Sequence, residues 1–420
     1  MRFRLHTWGL PGPMPYLPGM IGIRSAFLFL LLLACVGAGA QPLLRGRVVD
    51  AAGGAPVAGA SVFLSNTSTG TVTNSAGAFE LAFPAGRYDL VVSSVGYETQ
   101  SQTLQSAALP PELTISLKAR PRELETVLVQ SYEKDGWAKW GALFTDHFIG
   151  TSDEARACRF RNASTVRFIF DKGANELRAI AREPLVIENP ALGYRVRYQL
   201  EDFRFNFTTK LLTFYGYPLF EELKGNGARQ RRWRAARRDV YAGSLMHFLR
   251  SVFVNRIQEQ GFQVFRLRKF PNLQKQYTRN LVKKGALQWG PDGLRIAYGL
   301  PKDSLDYYRR YLGQGDEISV VGTQQLPGDS IAYAGEGNVA VLDFADYLLV
   351  NYPKLPPPRA YRAQNPDGAG FRMSQLLLPY GRPVQVEGNG AYYAPTDLLS
   401  LGYWGWAEKV GNMLPLDYRK

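Results

Sequence analysis

The stretch from Asn74 to Glu98, NSAGAFELAFPAGRYDLVVSSVGYE, alternates apolar and polar residues. Phe79, Leu81 and Phe83 fall on one side of an extended chain, and Tyr88, Leu90 and Val92 do the same after Pro84-Ala85-Gly86. Successive side chains of a strand point to opposite faces, so each run is a strand with one buried and one wet face. The pattern continues on both sides. LLRGRVVD, VAGASVFLSN and ELTISLKAR read as further strands, set off by AAGGAP and TSTG turns. Half-buried strands with a turn signal about every ten residues predict a small antiparallel β-sandwich over residues 41–130. Gly77, Gly86 and Gly96 sit where the chain must reverse.

Residues 1–40 read as an export signal rather than as part of the fold. Arg24 precedes the unbroken apolar run Ala26–Ala34, and small residues then lead to Ala38-x-Ala40 before Gln41. A positive flank, a short apolar core and a small-residue cleavage site define a secretory signal. The run falls short of the ~20 apolar residues that a spanning helix needs. Cleavage is therefore expected between Ala40 and Gln41, which makes the chain extracytoplasmic: periplasmic, on an outer-membrane surface or secreted. Leu32-Leu33-Ala34-Cys35 also resembles a bacterial lipobox. On that alternative Cys35 carries a lipid, and this is the one route by which a membrane becomes a partner.

Loss of the leader removes Arg2, Arg4 and Arg24 and lowers the net charge from +14 to +11. It also leaves Cys158 as the one cysteine, so no internal disulfide is expected although the destination is oxidising. In ARACRFRN, Cys158 reads as a small buried hydrophobe rather than a reactive thiol.

The stretches LRGRVVDAAGGAPVAGASVFLSNTSTGTVTNSAGAFEL, GRYDLVVSSVGYE and LTISLK resemble the carboxypeptidase regulatory-like domain. The resemblance implies a transthyretin-like (immunoglobulin-like) sandwich. In Bacteroidota this module opens TonB-dependent receptors and many cell-surface proteins, and a strand similar to LETVLV, here Leu124–Val129, usually follows it. It implies a fold and an address, not an activity. Metallocarboxypeptidases bind zinc through a His-x-x-Glu pair and a distant His, because a catalytic zinc takes about three protein ligands and an open position. Beyond the leader, the histidines are His147, in HFIG, and His247, in HFLR, so that ligand set is missing. No metal or other cofactor is implied.

Residues 131–420 read as an uncharacterised α+β domain, β-rich with one long amphipathic helix. TVRFIFDKGANELRAIAR and FRFNFTTKLLTFYG read as hairpins across Asp171-Lys172-Gly173 and Thr208-Thr209-Lys210. From about Ala228 to Gln260 proline is absent, and Val240, Leu245, Phe248, Leu249, Val252, Phe253 and Ile257 recur three or four apart. That spacing predicts one amphipathic helix ending at Gly261, with a subdivision of the domain near 225–262 and Gly243 as the point where the helix would break. EPLVIENPALGYRVRYQLEDF, TFYGYPLFEEL, GSLMHFLRSV and GYWGWAEKV resemble an uncharacterised region that follows the same sandwich in secreted Bacteroidota proteins.

The strongest chemical signal is ARQRRWRAARR, which carries Arg229, Arg231, Arg232, Arg234, Arg237 and Arg238 around Trp233. Read as a site, it binds a polyanion, with Trp233 available for stacking. Read structurally, it is the solvated start of the long helix. Arginines near a helix N-terminus oppose the macrodipole by about 0.3–1 kcal/mol each, so an acidic neighbour is expected, and Glu221-Glu222 lies just upstream. His247 between Met246 and Phe248 reads as a core histidine. The chain has no G-x-S-x-G and no P-loop, and GEGNVA, Gly335–Ala340, lacks the strand–helix context of a dinucleotide fingerprint. The acid pairs Glu201-Asp202, Glu221-Glu222 and Asp316-Glu317 could flank a glycosidic bond.

These features predict a non-catalytic extracytoplasmic protein of the envelope or cell surface, in which the sandwich presents a larger binding or structural domain. The expected partners are an envelope protein, a glycan or an anionic surface; an exported chain meets no genomic nucleic acid. Two alternatives stand beside this reading: a glycan-acting hydrolase using a carboxylate pair, and a truncated outer-membrane protein resembling a TonB-dependent receptor.

Overall fold

The computed structural model describes residues 42–120, 132–366 and 370–419. The leader positions Cys35, Ala40 and Gln41 and the LETVLV stretch lie outside them.

Seven strands between Leu43 and Leu117 form the expected mainly β first domain. In one sheet Leu43–Asp50 is central, antiparallel to Ala78–Ala82 and parallel to Leu113–Leu117. The other is antiparallel throughout, in the order Gly70–Val72, Ser61–Leu64, Arg87–Ser93, Gln100–Gln105. The sandwich thus departs from a fully antiparallel one at its last strand. The chain leaves the second sheet after Gln105, crosses to the free edge of the first and enters it in the direction of Leu43–Asp50. Pro84-Ala85-Gly86 also proves to be a passage between sheets, since the strands on either side of it belong to different sheets. Both alternating faces point into one core, where Phe79, Leu81, Phe83, Tyr88, Leu90 and Val92 are all buried.

The remainder holds two larger cores and a small satellite. The first is built on a six-stranded antiparallel sheet centred on the long strand Tyr194–Asn206, which pairs with Leu212–Glu222, Leu185–Asn189 and Glu176–Ala181. Both expected hairpins are present: Val166–Asp171 with Glu176–Ala181, and the pair just named across Thr208-Thr209-Lys210. Helix Gly136–Phe148 covers this sheet, and its Phe144 and Phe148, one helical turn apart, stack at 5.0 Å and meet Phe203. Each such buried ring contributes about 2–3 kcal/mol. The second core lies between a five-stranded sheet that includes Gln263–Pro271 and Tyr347–Asn351 and a four-stranded sheet that includes Val339–Leu342 and Val384–Val386. GEGNVA is the turn joining two antiparallel strands of the latter. The satellite packs helices Leu273–Lys283 and Leu305–Gly313 on the hairpin Leu287–Gly290/Gly293–Ile296.

The single long helix expected over Ala228–Gln260 is three helices: Gly227–Tyr241, Leu245–Phe253 and Ile257–Gln260. Its apolar spacing is real, but the break at Gly243 is held in place by the surrounding structure. Gly243 has φ +78°, and a Cβ there would meet the Tyr352 ring at 2.6 Å. Its N–H donates to His247 Nδ1 at 3.1 Å, its carbonyl accepts from Trp404 Nε1 at 2.8 Å, and Ser244 caps the next helix. His247 is the expected core histidine: with Nδ1 accepting, Nε2 carries the proton and faces Gln260 Oε1 at 3.2 Å. The break separates two kinds of surface. Leu245–Phe253 enters the second core, whereas Gly227–Tyr241 lies against the first sheet and turns its arginines outward, except for the buried Arg237.

Candidate functional site

The sandwich does not stand apart from the rest of the chain. Its loop Ser65–Thr69 is pinned on two sides: Thr67 bridges Leu219 at the edge of the six-stranded sheet, and Asn66 exchanges backbone hydrogen bonds with Pro218 and Leu416. Thr67 is fully buried there, and its hydroxyl donates to Leu64 O at 2.8 Å. Further along the seam, Arg87 of the sandwich lies 3.9 Å over the ring of Tyr393 and donates to Gln385 Oε1 at 2.8 Å. The Tyr393 hydroxyl donates to Arg87 O at 2.9 Å.

A cavity of about 520 Å³ opens where this loop, helix Gly227–Tyr241 and the segment Pro415–Arg419 meet. Its lining includes Arg231, Arg234, Arg237, Arg238 and Arg419, against the acids Glu222 and Asp417. At 3.6 residues per turn, the first four arginines fall within about 120° of the helix circumference. One wall belongs to the sandwich: Asp417 accepts from both the N–H and the hydroxyl of Ser68. The segment that carries Asp417 is fixed from behind its backbone by Arg250, whose guanidinium donates to the carbonyls of Leu416 and Tyr418 at 3.0 Å each.

The arginine cluster divides into three groups. Arg237 is buried and its guanidinium is fully engaged: Nε donates to Leu192 O at 2.7 Å, one terminal nitrogen to Glu222 at 2.7 Å and the other to Gly193 O at 3.2 Å. It also lies 3.8 Å over the Tyr194 ring, whose hydroxyl is held protonated well above its ordinary range by burial. Arg231, Arg234 and Arg238 are exposed on the cavity and make no ion pair among the described residues. Arg229 and Arg232 are exposed too but are not among the residues lining it.

Two expectations about this cluster need correction. Trp233 is not available to stack on a ligand: it is buried, donates from Nε1 to Pro190 O at 2.8 Å and fills the space left by Gly193 and Gly225. Arg237 belongs to the framework of the cavity more than to its free surface. The acidic neighbour is half as expected. Glu222 takes Arg237, while Glu221 is turned to Arg195 and Arg197 at 3.6 and 2.6 Å. The segment Pro415–Arg419 carried no sequence signal, because only the fold brings it to Ser68.

Five of the six acids considered for glycan cleavage are held in ion pairs; Glu201 makes none among the described residues, and desolvation raises its carboxyl above the ordinary range. Asp202 pairs with Arg204, Asp316 with Lys275 and Arg279, and Glu317 with Lys269, in addition to the pairs of Glu221 and Glu222. Among the described residues no group of three or more His, Cys, Asp or Glu side chains could hold a metal.

Comparison with known proteins identifies the first part of the chain. Residues 44–129 match the CarboxypepD_reg-like domain. This CarboxypepD_reg-like domain therefore covers the sandwich. The TonB-dependent receptor P39 of Formosa agariphila is 31% identical over 110 residues, which is 26% of this chain and 10% of the receptor. The chain thus spans about a tenth of that relative's length. Two interface mutants of a type II cohesin–X-dockerin complex from Acetivibrio cellulolyticus share 26% and 27% identity over 18% of this chain and 57% of theirs, at TM-scores of 0.17 and 0.16. A Bacteroides fragilis protein of unknown function is 11% identical over 82% of this chain and 92% of its own, at a TM-score of 0.14.

Proposed function

We propose that this chain is a non-catalytic extracytoplasmic protein of the envelope or cell surface, in which a CarboxypepD_reg-like sandwich is locked onto a larger α+β body and the seam between them receives an anionic partner. The observation that carries this reading is the seam cavity. Three arginines that make no ion pair among the described residues face it from one helix, and its walls come from the sandwich, the helix and the C-terminal segment together. A cationic hollow with low-dielectric walls concentrates anions and strengthens each contact relative to open solvent. Its two carboxylates are taken up by Arg237 and Ser68, which leaves the other arginines as its unengaged charged groups. The likeness to part of a TonB-dependent receptor supports an envelope address.

The test has two arms. Expression of the whole gene in a Gram-negative host followed by fractionation is expected to place the protein outside the cytoplasm, and recovery in the cytoplasm overturns the address. Retention of the purified chain on immobilised dextran sulfate is expected to weaken with Arg234→Glu and not with Arg229→Glu. Equal loss in both variants overturns the seam as the binding site.

The receptor likeness also favours a second reading, an outer-membrane protein related to such receptors. A membrane barrel closes at least about eight strands into one sheet, and the largest sheet among the described residues has six. Heat-modifiable migration of detergent-extracted protein on a gel is the outcome that selects this second reading.

A further inference from the structure

The seam cavity also specifies the kind of anion, an inference that rests on the reading above. Five arginines line it against two carboxylates, and both carboxylates are already engaged. Glu222 accepts from Arg237, and Asp417 accepts from the N–H and hydroxyl of Ser68. Arg231, Arg234, Arg238 and Arg419 therefore carry charge that the described residues do not pair. A single carboxylate or sulfate ester brings one negative charge and leaves most of this excess in place. A phosphate monoester brings about −1.5 to −2 at neutral pH on three terminal oxygens. Each guanidinium can meet two of those oxygens with parallel N–H donors, a geometry an ammonium cannot reproduce. All the basic groups of the lining are arginines; none is a lysine.

Size adds a second constraint. A volume of about 520 Å³ lies within the ~300–1,000 Å³ of ordinary small-molecule sites, and a phosphate group alone fills a small part of it. The rest of the lining, Ser68, Pro415 and Tyr418 with Tyr194 held under Arg237, carries no charge. Such a wall suits an uncharged polar body the size of a sugar.

We infer that the cavity at the seam binds a phosphate monoester carried on a polar body of sugar size, held by Arg231, Arg234 and Arg238 and bridging the sandwich to the larger domain. The same headgroup can come from a soluble phosphosugar or from the exposed phosphate of a lipid.

Calorimetric titration of the full chain with glucose 6-phosphate, glucose, inorganic phosphate and dextran sulfate tests this, alongside sedimentation with vesicles containing phosphatidic acid. Glucose 6-phosphate is expected to bind at least about tenfold more tightly than inorganic phosphate, glucose is expected not to bind, and Arg234→Glu should weaken glucose 6-phosphate at least about tenfold. Arg229→Glu should leave it unchanged. Sedimentation with phosphatidic acid vesicles, lost in Arg234→Glu, supports the same chemistry and assigns it to a lipid source. If dextran sulfate binds through Arg234 but neither phosphate source does, the ligand class is wrong and the anionic seam survives. If Arg234→Glu changes none of these, both fall. Arg234 is exposed, so an unchanged melting temperature in the variant separates lost binding from lost folding.

Discussion

Arg87 of the sandwich stands 3.2 Å from Glu387 of the second core, and the two charges meet where the domains close on each other. The Glu387 side chain is 8% exposed and that of Arg87 22%, so neither charge is free in water. Burial raises the Glu387 carboxyl above its ordinary range, and the neighbouring guanidinium partly offsets this. The pair is ionic without a well-aligned hydrogen bond between its members. Removing one member strands the other, which costs about 3 kcal/mol for a pair this buried. Arg87→Ala is expected to lower stability by that order in a urea titration, and Arg87→Ala/Glu387→Gln to recover part of it. Equal losses in the single and double variants count against the pairing.

Arg237 and Arg234 share a helix but not a role. Arg237→Ala removes donors from the carbonyls of Leu192 and Gly193 and from Glu222 at once. A loss of about 2–4 kcal/mol is expected, and Arg237→Lys should restore little, because an ammonium cannot reach three partners in a planar fork. Arg234→Ala, on the exposed side, should stay within about 0.5 kcal/mol of the parent. Thermal denaturation of the three variants checks this order.

Gly193 carries φ +72°, and a Cβ there would lie 2.2 Å from Cδ2 of Trp233. Gly193→Ala therefore meets both backbone strain and a clash with a buried indole. The expected cost exceeds about 2 kcal/mol, with a change in tryptophan fluorescence as Trp233 moves. An unaltered emission spectrum and stability would show that the indole is not seated against that glycine.

Glu408 accepts from Leu245 N at 2.8 Å, and burial pushes its carboxyl up to about 7 from 4.5. Lys409, Glu154, Asp239 and Arg372 lie around it. A carboxyl raised on folding contributes stability below its unfolded value, and that contribution is lost as pH rises through the folded one. Glu408→Gln keeps the acceptor and cannot ionise. The melting temperature of the parent should therefore fall relative to Glu408→Gln as pH is raised from about 5 to about 8. Parallel curves across that range refute the shift.

Cys158 is partly buried beside Glu154 O, and burial pushes its thiol up to about 12. It should react slowly with a disulfide reagent in the native protein and fast in denaturant, because the thiolate is the nucleophile. Comparable rates in both states would mark it as accessible.

The sandwich was legible because its signal is local. Phe79, Leu81, Tyr88 and Leu90 state their faces by alternation alone, and turns bound each strand. What alternation cannot state is which sheet a strand joins. The Pro84–Gly86 turn therefore read as a simple reversal, and the parallel entry of Leu113–Leu117 gave no sign. The helix from Ala228 was legible in its spacing and not in its breaks, since the decisive contacts of Gly243, with Tyr352 and Trp404, are more than a hundred residues away in sequence. The arginine cluster stood out by composition. Its division into framework and free surface depends on Leu192, Gly193 and Glu222, and its other wall on Asp417 and Ser68. Trp233 misled because an aromatic among arginines looks the same in sequence whether it faces solvent or fills the gap above a glycine.

The Thr67–Leu219 bridge bears on how this molecule would carry load. Through it a loop of the sandwich is bound to the edge of the six-stranded sheet, and Ser68 and Arg87 add further attachments along the same seam. A pull applied along the sandwich would stress these attachments together rather than one after another, so the seam should yield abruptly at high tension instead of peeling open.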